Sequence, residues 1–269
     1  MLHFPERKLR PGVKSDTTRV LWARRPPRAA VVFVHGYRGE AIGTWSRFDA
    51  LLPMSPKAAD YDLFFYGYNC FSSNTMAEAS LLCDFLTELH EDGGALLRKS
   101  LALADVRPGP LSYGEVLLVA HSIGAIVSRR ALLFARQLRR PWEERTRLVL
   151  FAPAHRGAVI SELLAELEGA WLSFFRAGFR HMSPLVAEVA PGSPSIVGLE
   201  ADVEREVARG ARHLLATKVV IAEVERVVSN LKLHDLDPVP VVVRGSTHTS
   251  VCKPRPGFLQ PLTEVEDVL

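Results

Sequence analysis

Short apolar runs rich in β-branched residues alternate with helix-length segments along most of this chain, and that alternation constrains its fold most. Runs such as Ala30–Val34 and Val116–Ala120 are apolar at every position, which is typical of strands buried on both faces of a sheet. Helix-length segments follow such runs, as in crossover connections between parallel strands. The sequence therefore predicts the α/β class, with a mostly parallel central sheet and helices on both faces.

Seven strands and two helices follow from the same pattern. The predicted strands are 17–23, 30–34, 61–68, 116–120, 148–151, 216–222 and 239–243. The first predicted helix spans 74–90 with Asn74 as its N-cap, and the second spans 122–140. Apolar residues three and four positions apart support the first of these helices.

The spacing of the later strands indicates an insertion. Roughly 65 residues separate the strand ending at Phe151 from the strand near Lys218, far more than a simple crossover needs. An aromatic-rich amphipathic stretch, 163–175, lies within them, and it fits either a helix packed on the core or a cap over an apolar pocket. We therefore expect 1–269 to form a single domain with a helical cap insertion at about 158–215.

Charge and cysteine content exclude several classes of protein. The formal net charge of +3 is too small for the basic surface of a nucleic-acid binder. Cys70, Cys83 and Cys252 have no CxxC spacing, which argues against a zinc site or a disulfide framework and indicates a reducing compartment. With neither a signal peptide nor a transmembrane segment apparent, we expect a cytoplasmic protein, leaving peripheral membrane contact and oligomeric state open.

Ser122 stands at the junction of a buried strand and a helix. Ala120 and Gly124 flank it two positions away, so the segment matches G-x-S-x-G with alanine in the first place. Small residues there allow strand and helix to approach closely around a serine in strained backbone, which is what a nucleophile elbow requires. We therefore predict a nucleophilic role for Ser122, the alternative being the N-cap of an ordinary helix.

Two backbone amides are candidates for an oxyanion hole. The N–H of Ile123 lies at the N-terminus of the predicted helix, where the helix dipole favours negative charge. A second donor is expected from the loop after the earlier buried strand, where Gly36 would let the N–H of Tyr37 approach the site. We expect His35 to stabilise that turn rather than to carry a proton.

A serine nucleophile needs a general base, and histidine is the usual one near neutral pH. Among nine histidines, His248 follows the last predicted strand and satisfies the chain order serine, acid, histidine. His121 adjoins the nucleophile but would point away from its side chain, and we interpret His155 as structural. We therefore predict His248 as the base.

The acid of the triad is less determined by the sequence. Glu225 follows the predicted strand 216–222 and precedes His248 by 23 residues, enough for one loop and one strand. Glu223, Asp235 and Asp237 are alternatives. We predict Glu225, although aspartate is the commoner orienting residue.

These segments together resemble the α/β-hydrolases, specifically the lipase-like serine esterases. The resemblance covers about residues 30 to 255 and its motifs occur in the family order. They are Phe33–Tyr37, Gly43–Trp45, Phe65–Tyr68, His121–Gly124, Phe151–Gly157, Glu225–Val228 and Thr247–Ser250. Two positions depart from the family pattern, since Ala120 replaces the first elbow glycine and Glu225 replaces an aspartate.

The resemblance implies a Ser122–His248–Glu225 triad, with the amides of Tyr37 and Ile123 as the oxyanion hole. It implies hydrolysis of carboxylic esters, of lipid or small acyl type, through an acyl-enzyme and without a metal or organic cofactor. Because the family is functionally diverse, two alternatives remain. They are an acyltransferase of the same fold and a catalytically silent binding protein with an α/β-hydrolase fold.

Overall fold

The computed structural model describes residues 7–8, 18–24, 27, 29–68, 70, 73–98, 112–154, 185, 188–190, 192–224 and 236–269. Within these residues, eight strands form one sheet in the order β1-β2-β4-β3-β5-β6-β7-β8. The strands are β1 (Arg7–Lys8), β2 (Arg19–Leu21), β3 (Ala29–Val34), β4 (Tyr61–Tyr66), β5 (Glu115–His121), β6 (Thr146–Phe151), β7 (Lys218–Val224) and β8 (Val241–Thr247). The seven predicted strands correspond to β2–β8, and the two-residue β1 was not predicted.

The sheet is mostly parallel, as predicted. Among the described strands, only the pairs β1–β2 and β2–β4 are antiparallel, and the other five pairs are parallel. Val34 of β3 lies beside Ala120 of β5, which in turn lies beside Leu150 of β6. Every residue of β3 is buried, and so is every residue of β5 except Glu115. This burial on both faces explains the apolar runs Ala30–Val34 and Val116–Ala120.

Five α-helices accompany the sheet in the described part of the chain. They are α1 (Phe48–Leu51), α2 (Thr75–Arg98), α3 (Ile123–Gln137), α4 (Pro194–Ala208) and α5 (Gln260–Glu266). The predicted N-cap of α2 is confirmed, since the N–H of Ala77 donates to Asn74 Oδ1 at 2.8 Å. The chain leaves α3 earlier than predicted, because Arg139 adopts a positive φ of 54° before Pro141.

Both faces of the sheet are covered by helices. Neighbouring residues of a strand point to opposite faces, and β4 makes this visible. Phe64 packs edge-on against Phe85 of α2, with ring centroids 5.8 Å apart. Phe65 stacks on Phe33 at 4.7 Å, and Phe33 packs in turn against Phe48 of α1 on the other face.

The start of β8 corrects the predicted strand 239–243. Val239 is 90% exposed, and the strand begins only at Val241. Pro238 and Pro240 explain the shift, because proline has no N–H to donate to a neighbouring strand. The strand continues to Thr247, so its end lies directly before His248.

The order of the strands locates a crevice. From β3 the chain adds β4 on one side, and then places β5, β6, β7 and β8 on the other side. In open α/β sheets, ligands bind at the carboxyl ends of the strands where the order reverses in this way. Here that point lies between the ends of β3 and β5, where His35 and Ser122 follow.

Part of the predicted cap insertion is described. Helix α4 lies within 158–215 and contacts α3, where Arg130 donates to the carbonyl oxygen of Ser195. Its apolar face is buried through Ile196, Leu199 and Val203. Residues 155–184 lie outside the described part of the chain, so the cap itself stays a prediction. No helix in the described ranges combines the length and apolar character needed to cross a membrane.

Candidate active site

Ser122 lies in a strained turn between β5 and α3. Its φ and ψ are 55° and −121°, a combination that non-glycine residues rarely adopt and that the surroundings must enforce. The N–H of Ser122 donates to the carbonyl oxygen of Phe151 at 3.0 Å, and the N–H of Ala125 donates to the carbonyl oxygen of Ser122 at 3.1 Å. The backbone on both sides of the serine is therefore fixed by β6 and by the first turn of α3.

Glycines on two sides allow the close packing around Ser122. A Cβ on Gly124 would lie 2.4 Å from the carbonyl oxygens of both Val34 and His35. A Cβ on Gly36 would lie 2.9 Å from the Cβ of Ser122. The absence of a side chain at Gly124 thus lets α3 approach the end of β3, as the elbow pattern predicts.

His248 reaches the serine from the end of β8. Its Nε2 lies 3.0 Å from Ser122 Oγ, and both side chains are buried. The serine O–H donates in this pair when the imidazole is neutral with its proton on Nδ1. The side chain of Ser122 makes no capping hydrogen bond to α3, so Ser122 does not act as an ordinary side-chain N-cap.

His121 holds the backbone of His248. Its Nε2–H donates to the carbonyl oxygen of His248 at 2.9 Å, and the two rings lie 5.0 Å apart. Burial, followed by the neighbouring charge of His248, lowers the pKa of His121 well below its usual value. His121 is therefore a neutral support for the backbone of His248, a role that the sequence did not suggest.

His35 stabilises the turn after β3. Its Nδ1–H donates to the carbonyl oxygen of Gly36 at 2.8 Å, and its Nε2 accepts from the N–H of Tyr68 at 3.4 Å. The ring stacks on Tyr68 at 4.2 Å. Burial lowers the pKa of His35 to about 4, since a charged ring would lose its hydration and its acceptor nitrogen. Both nitrogens are thus engaged with the backbone.

The Gly-Thr-Trp motif anchors the loop that carries Tyr37. Thr44 Oγ1 accepts from the N–H of Glu40 at 3.0 Å, which closes the loop on itself. The ring of Trp45 is buried against Phe33 at 5.0 Å and against Phe151 at 6.4 Å. The motif therefore fixes the predicted oxyanion loop to the core.

Two of the candidate acids, Glu225 and Asp235, lie outside the described residues, as does His155. Glu223 is exposed, and its Oε2 accepts from the N–H of Gly245 at 2.9 Å. This contact joins β7 to β8 and leaves the identity of the acid a prediction.

Asp237 forms a buried ion pair. Its carboxylate accepts from the guanidinium of Arg129 in α3, and both side chains are only 1% exposed. The same carboxylate accepts from the N–H of Ala216 at 2.8 Å. Asp237 therefore ties α3 to the segments that lead into β7 and β8. The sequence shows only an arginine seven residues after Ser122, which does not reveal its distant partner.

A cleft of about 260 Å³ is lined by Gly36, which packs against Ser122, and by His121 and Thr249, which adjoin Ser122 and His248 in the sequence. It lies between the loop after β3 and the loop after β8, with His121 in its wall. The lining residues are Gly36, Tyr37, Arg38, Gly39, Glu40, Gly43, Thr44, His121, Thr249 and Lys253. The loop carrying the predicted oxyanion donor Tyr37 thus forms one side of this cleft.

Comparison with known proteins identifies the fold. No protein-family model and no curated protein matches the sequence. Among solved structures, the peroxisomal α/β-hydrolase Lpx1 of Saccharomyces cerevisiae is similar with a TM-score of 0.56 at 11% identity, over 100% of this chain and 90% of that one. Esterase B of Lactobacillus rhamnosis is similar with a TM-score of 0.55 at 12% identity, over 98% of this chain and 85% of that one. The chain has the α/β-hydrolase fold.

Proposed function

We propose that this protein is a serine esterase that cleaves carboxylic esters through an acyl-enzyme on Ser122. The observation that carries the proposal is the 3.0 Å contact between Ser122 Oγ and His248 Nε2. It occurs at a turn with positive φ, on the carboxyl edge of the sheet, in a fold where this edge binds ligands. Strain of this kind is maintained by surrounding structure and is concentrated at functional sites.

The proposed first step is acylation. Ser122 Oγ attacks the ester carbonyl carbon while its proton passes to His248 Nε2. The carbonyl π electrons move to the oxygen, which becomes an oxyanion. When that intermediate collapses, the bond to the alcohol oxygen breaks and the alcohol leaves with the proton from His248. Water then repeats the sequence, with His248 as base, and releases the carboxylic acid and free Ser122.

The amides of Tyr37 and Ile123 are the proposed oxyanion donors. Ile123 is the first residue of α3, so its N–H lies at the positive end of the helix dipole. Tyr37 follows Gly36, whose missing side chain brings this backbone within contact of Ser122. These two amides would stabilise charge as it develops on the carbonyl oxygen.

Glu225 is the proposed acid that orients His248. It follows β7 directly, and β7 pairs with β8, which leads to His248. The bonds of Asp237 to Arg129 and Ala216 favour Glu225, because they commit the Asp237 carboxylate to the protein interior. Asp235 remains the alternative.

The proposed substrates are lipid or small acyl esters. Esterase B, which has the same fold, is described with a tributyrin phosphonate. The predicted cap at about 158–215, rich in aromatic residues, would provide apolar surface for an acyl chain. Chain-length preference is the property that this cap would set.

A Ser122→Ala variant tests the proposal against p-nitrophenyl esters of increasing acyl length. We expect the wild type to hydrolyse at least one member and Ser122→Ala to lose about 10³-fold or more in kcat. Ser128→Ala is the matched control, because Ser128 is a buried serine of α3 whose Oγ has no hydrogen-bond partner among the described residues. Equal activity of Ser122→Ala and wild type would contradict the proposal.

A further inference from the structure

The cleft beside Ser122 has one wall in contact with the nucleophile. Gly36 belongs to this wall, and a Cβ there would lie 2.9 Å from Ser122 Cβ and 3.0 Å from His121 Nδ1. The cleft is therefore close enough to Ser122 to hold part of a molecule whose ester group lies at the nucleophile.

The charged residues of the cleft give it an excess of positive charge. Arg38 and Lys253 line opposite loops, and Glu40 is the acidic residue among the lining set. Lys253 is partly buried, so an ion pair formed with it is less screened by solvent than one at an open surface. Lys253 and His121 both line the cleft, and the charge of Lys253 adds to burial and to His248 in lowering the pKa of His121.

His121 contributes an acceptor rather than a charge. Its Nε2–H is used by the carbonyl oxygen of His248, so in the neutral ring Nδ1 carries a lone pair. Nδ1 is buried and has no hydrogen-bond partner in the part of the chain that the structure describes. A buried acceptor without a partner is costly, so this nitrogen favours a water or another donor beside it, which an alkyl chain cannot supply. An ionised carboxylate or phosphate has no proton to donate to Nδ1, so a water would bridge the two.

We propose that this cleft binds an anionic group, a carboxylate or a phosphate, carried by the ester that Ser122 cleaves. The proposal rests on the proposed esterase function and narrows its substrate class. The substrates are then half-esters of dicarboxylic acids, or acyl esters of an alcohol that bears an acidic group. Lys253 is the main specificity-determining residue, with Arg38 adding positive potential from the opposite loop.

Two pairs of esters distinguish whether the anionic group belongs to the acyl part or to the alcohol part of the substrate. The acyl arm compares mono-p-nitrophenyl glutarate with p-nitrophenyl valerate, which has the same chain length without the terminal carboxylate. The alcohol arm compares 3-carboxyphenyl acetate with 3-(methoxycarbonyl)phenyl acetate. We expect the charged member of one pair to have the higher kcat/KM, by about tenfold, as an ion pair with a partly buried cation allows.

Lys253→Met and Lys253→Gln test the assigned cation. Each variant should reduce the charged-to-neutral ratio of kcat/KM by about tenfold. Arg255→Met is the matched control, since Arg255 lies on the same loop, is exposed over the Phe258 ring at 5.2 Å and does not line the cleft. Its ratio should equal that of wild type.

The outcomes separate this inference from the function on which it rests. If the neutral esters are hydrolysed and neither arm shows a preference for the charged member, the anionic site is refuted while the esterase function stands. A preference that survives both Lys253 variants would also overturn it. Failure to hydrolyse any of the four esters, together with no labelling of Ser122 by a fluorophosphonate, would overturn the esterase function and this inference with it.

Discussion

The proposed nucleophile, Ser122, and the proposed base, His248, reach the same edge of the sheet by different means. Ser122 is held by the backbone: its φ is positive, its N–H donates to Phe151, and Gly124 packs closely against the end of β3. His248 is held by side chains from elsewhere in the chain. His121 fixes its carbonyl oxygen, and the Arg129–Asp237 pair fixes the segment that leads into β8.

This difference explains what kind of change should damage each half of the site. The elbow depends on small residues, so adding a methyl group at Gly124 should displace the turn. The base depends on buried polar partners, so removing one partner leaves another group buried and unsatisfied.

The largest effect is expected when Ser122 or His248 is replaced, because both act in the same proposed reaction. Ser122→Ala, His248→Gln and the double variant should each lose about 10⁴-fold in kcat for the best p-nitrophenyl ester, because residues that act as a unit are not additive. Initial rates of the three variants, with far-UV circular dichroism as a control for folding, provide the comparison. Losses that multiply in the double variant would mean that the two residues act independently.

Breaking the buried ion pair should destabilise the side that carries the base. Asp237→Asn is expected to lower the free energy of unfolding by about 3–5 kcal/mol, since it leaves the Arg129 guanidinium buried without a counter-charge. Urea denaturation measures this. The double variant Arg129→Met/Asp237→Leu should recover most of the loss, and a loss as large as that of Asp237→Asn alone would contradict the account.

Adding one methyl group should disturb the elbow. Gly124→Ala places a Cβ against two backbone carbonyl oxygens, and we expect a loss of about 3 kcal/mol in unfolding free energy. Gly198→Ala in α4 is the matched control, because nothing lies within 4 Å of the added Cβ. That variant should gain about 0.5–1 kcal/mol from helix propensity. Equal stability of the two variants would refute the close-packing explanation.

A smaller effect is expected from pH. His35 is neutral when folded, with a pKa of about 4, whereas the unfolded chain takes up a proton near pH 6.5. Stability from this residue is therefore full above pH 6.5 and is lost as the pH falls towards 4, by about 2 kcal/mol between pH 7 and pH 5. In urea denaturation at pH 7 and pH 5, the unfolding free energy of His35→Asn should decrease less than that of the wild type. The same pH dependence in variant and wild type would assign the effect to other groups.

The parts of the molecule that depend on local sequence were predictable. Buried strands such as Ala29–Val34 are recognisable because every side chain is apolar, and the elbow is recognisable because Ala120 and Gly124 flank a serine. Chain order favoured His248 among the histidines, and its Nε2 lies 3.0 Å from Ser122 Oγ, while its role as base stays a prediction.

Contacts between distant segments could not be predicted in this way. The partner of Arg129 is 108 residues away, and its recognition requires knowing that α3 packs beside the approach to β8. The sequence around His121 does not indicate its role, because that role depends on the loop after β8 placing the carbonyl oxygen of His248 next to its ring. The start of β8 was misplaced for a local reason that the sequence did contain, the prolines at 238 and 240.

Labelling with a fluorophosphonate tests most directly whether Ser122 is a nucleophile activated by His248. Intact mass and peptide mapping should show one phosphonyl adduct, on Ser122, in the wild type. His248→Gln should label at least about 10²-fold more slowly, because the serine loses its general base. An unlabelled folded wild type, an adduct on another residue or equal labelling of His248→Gln would contradict the account.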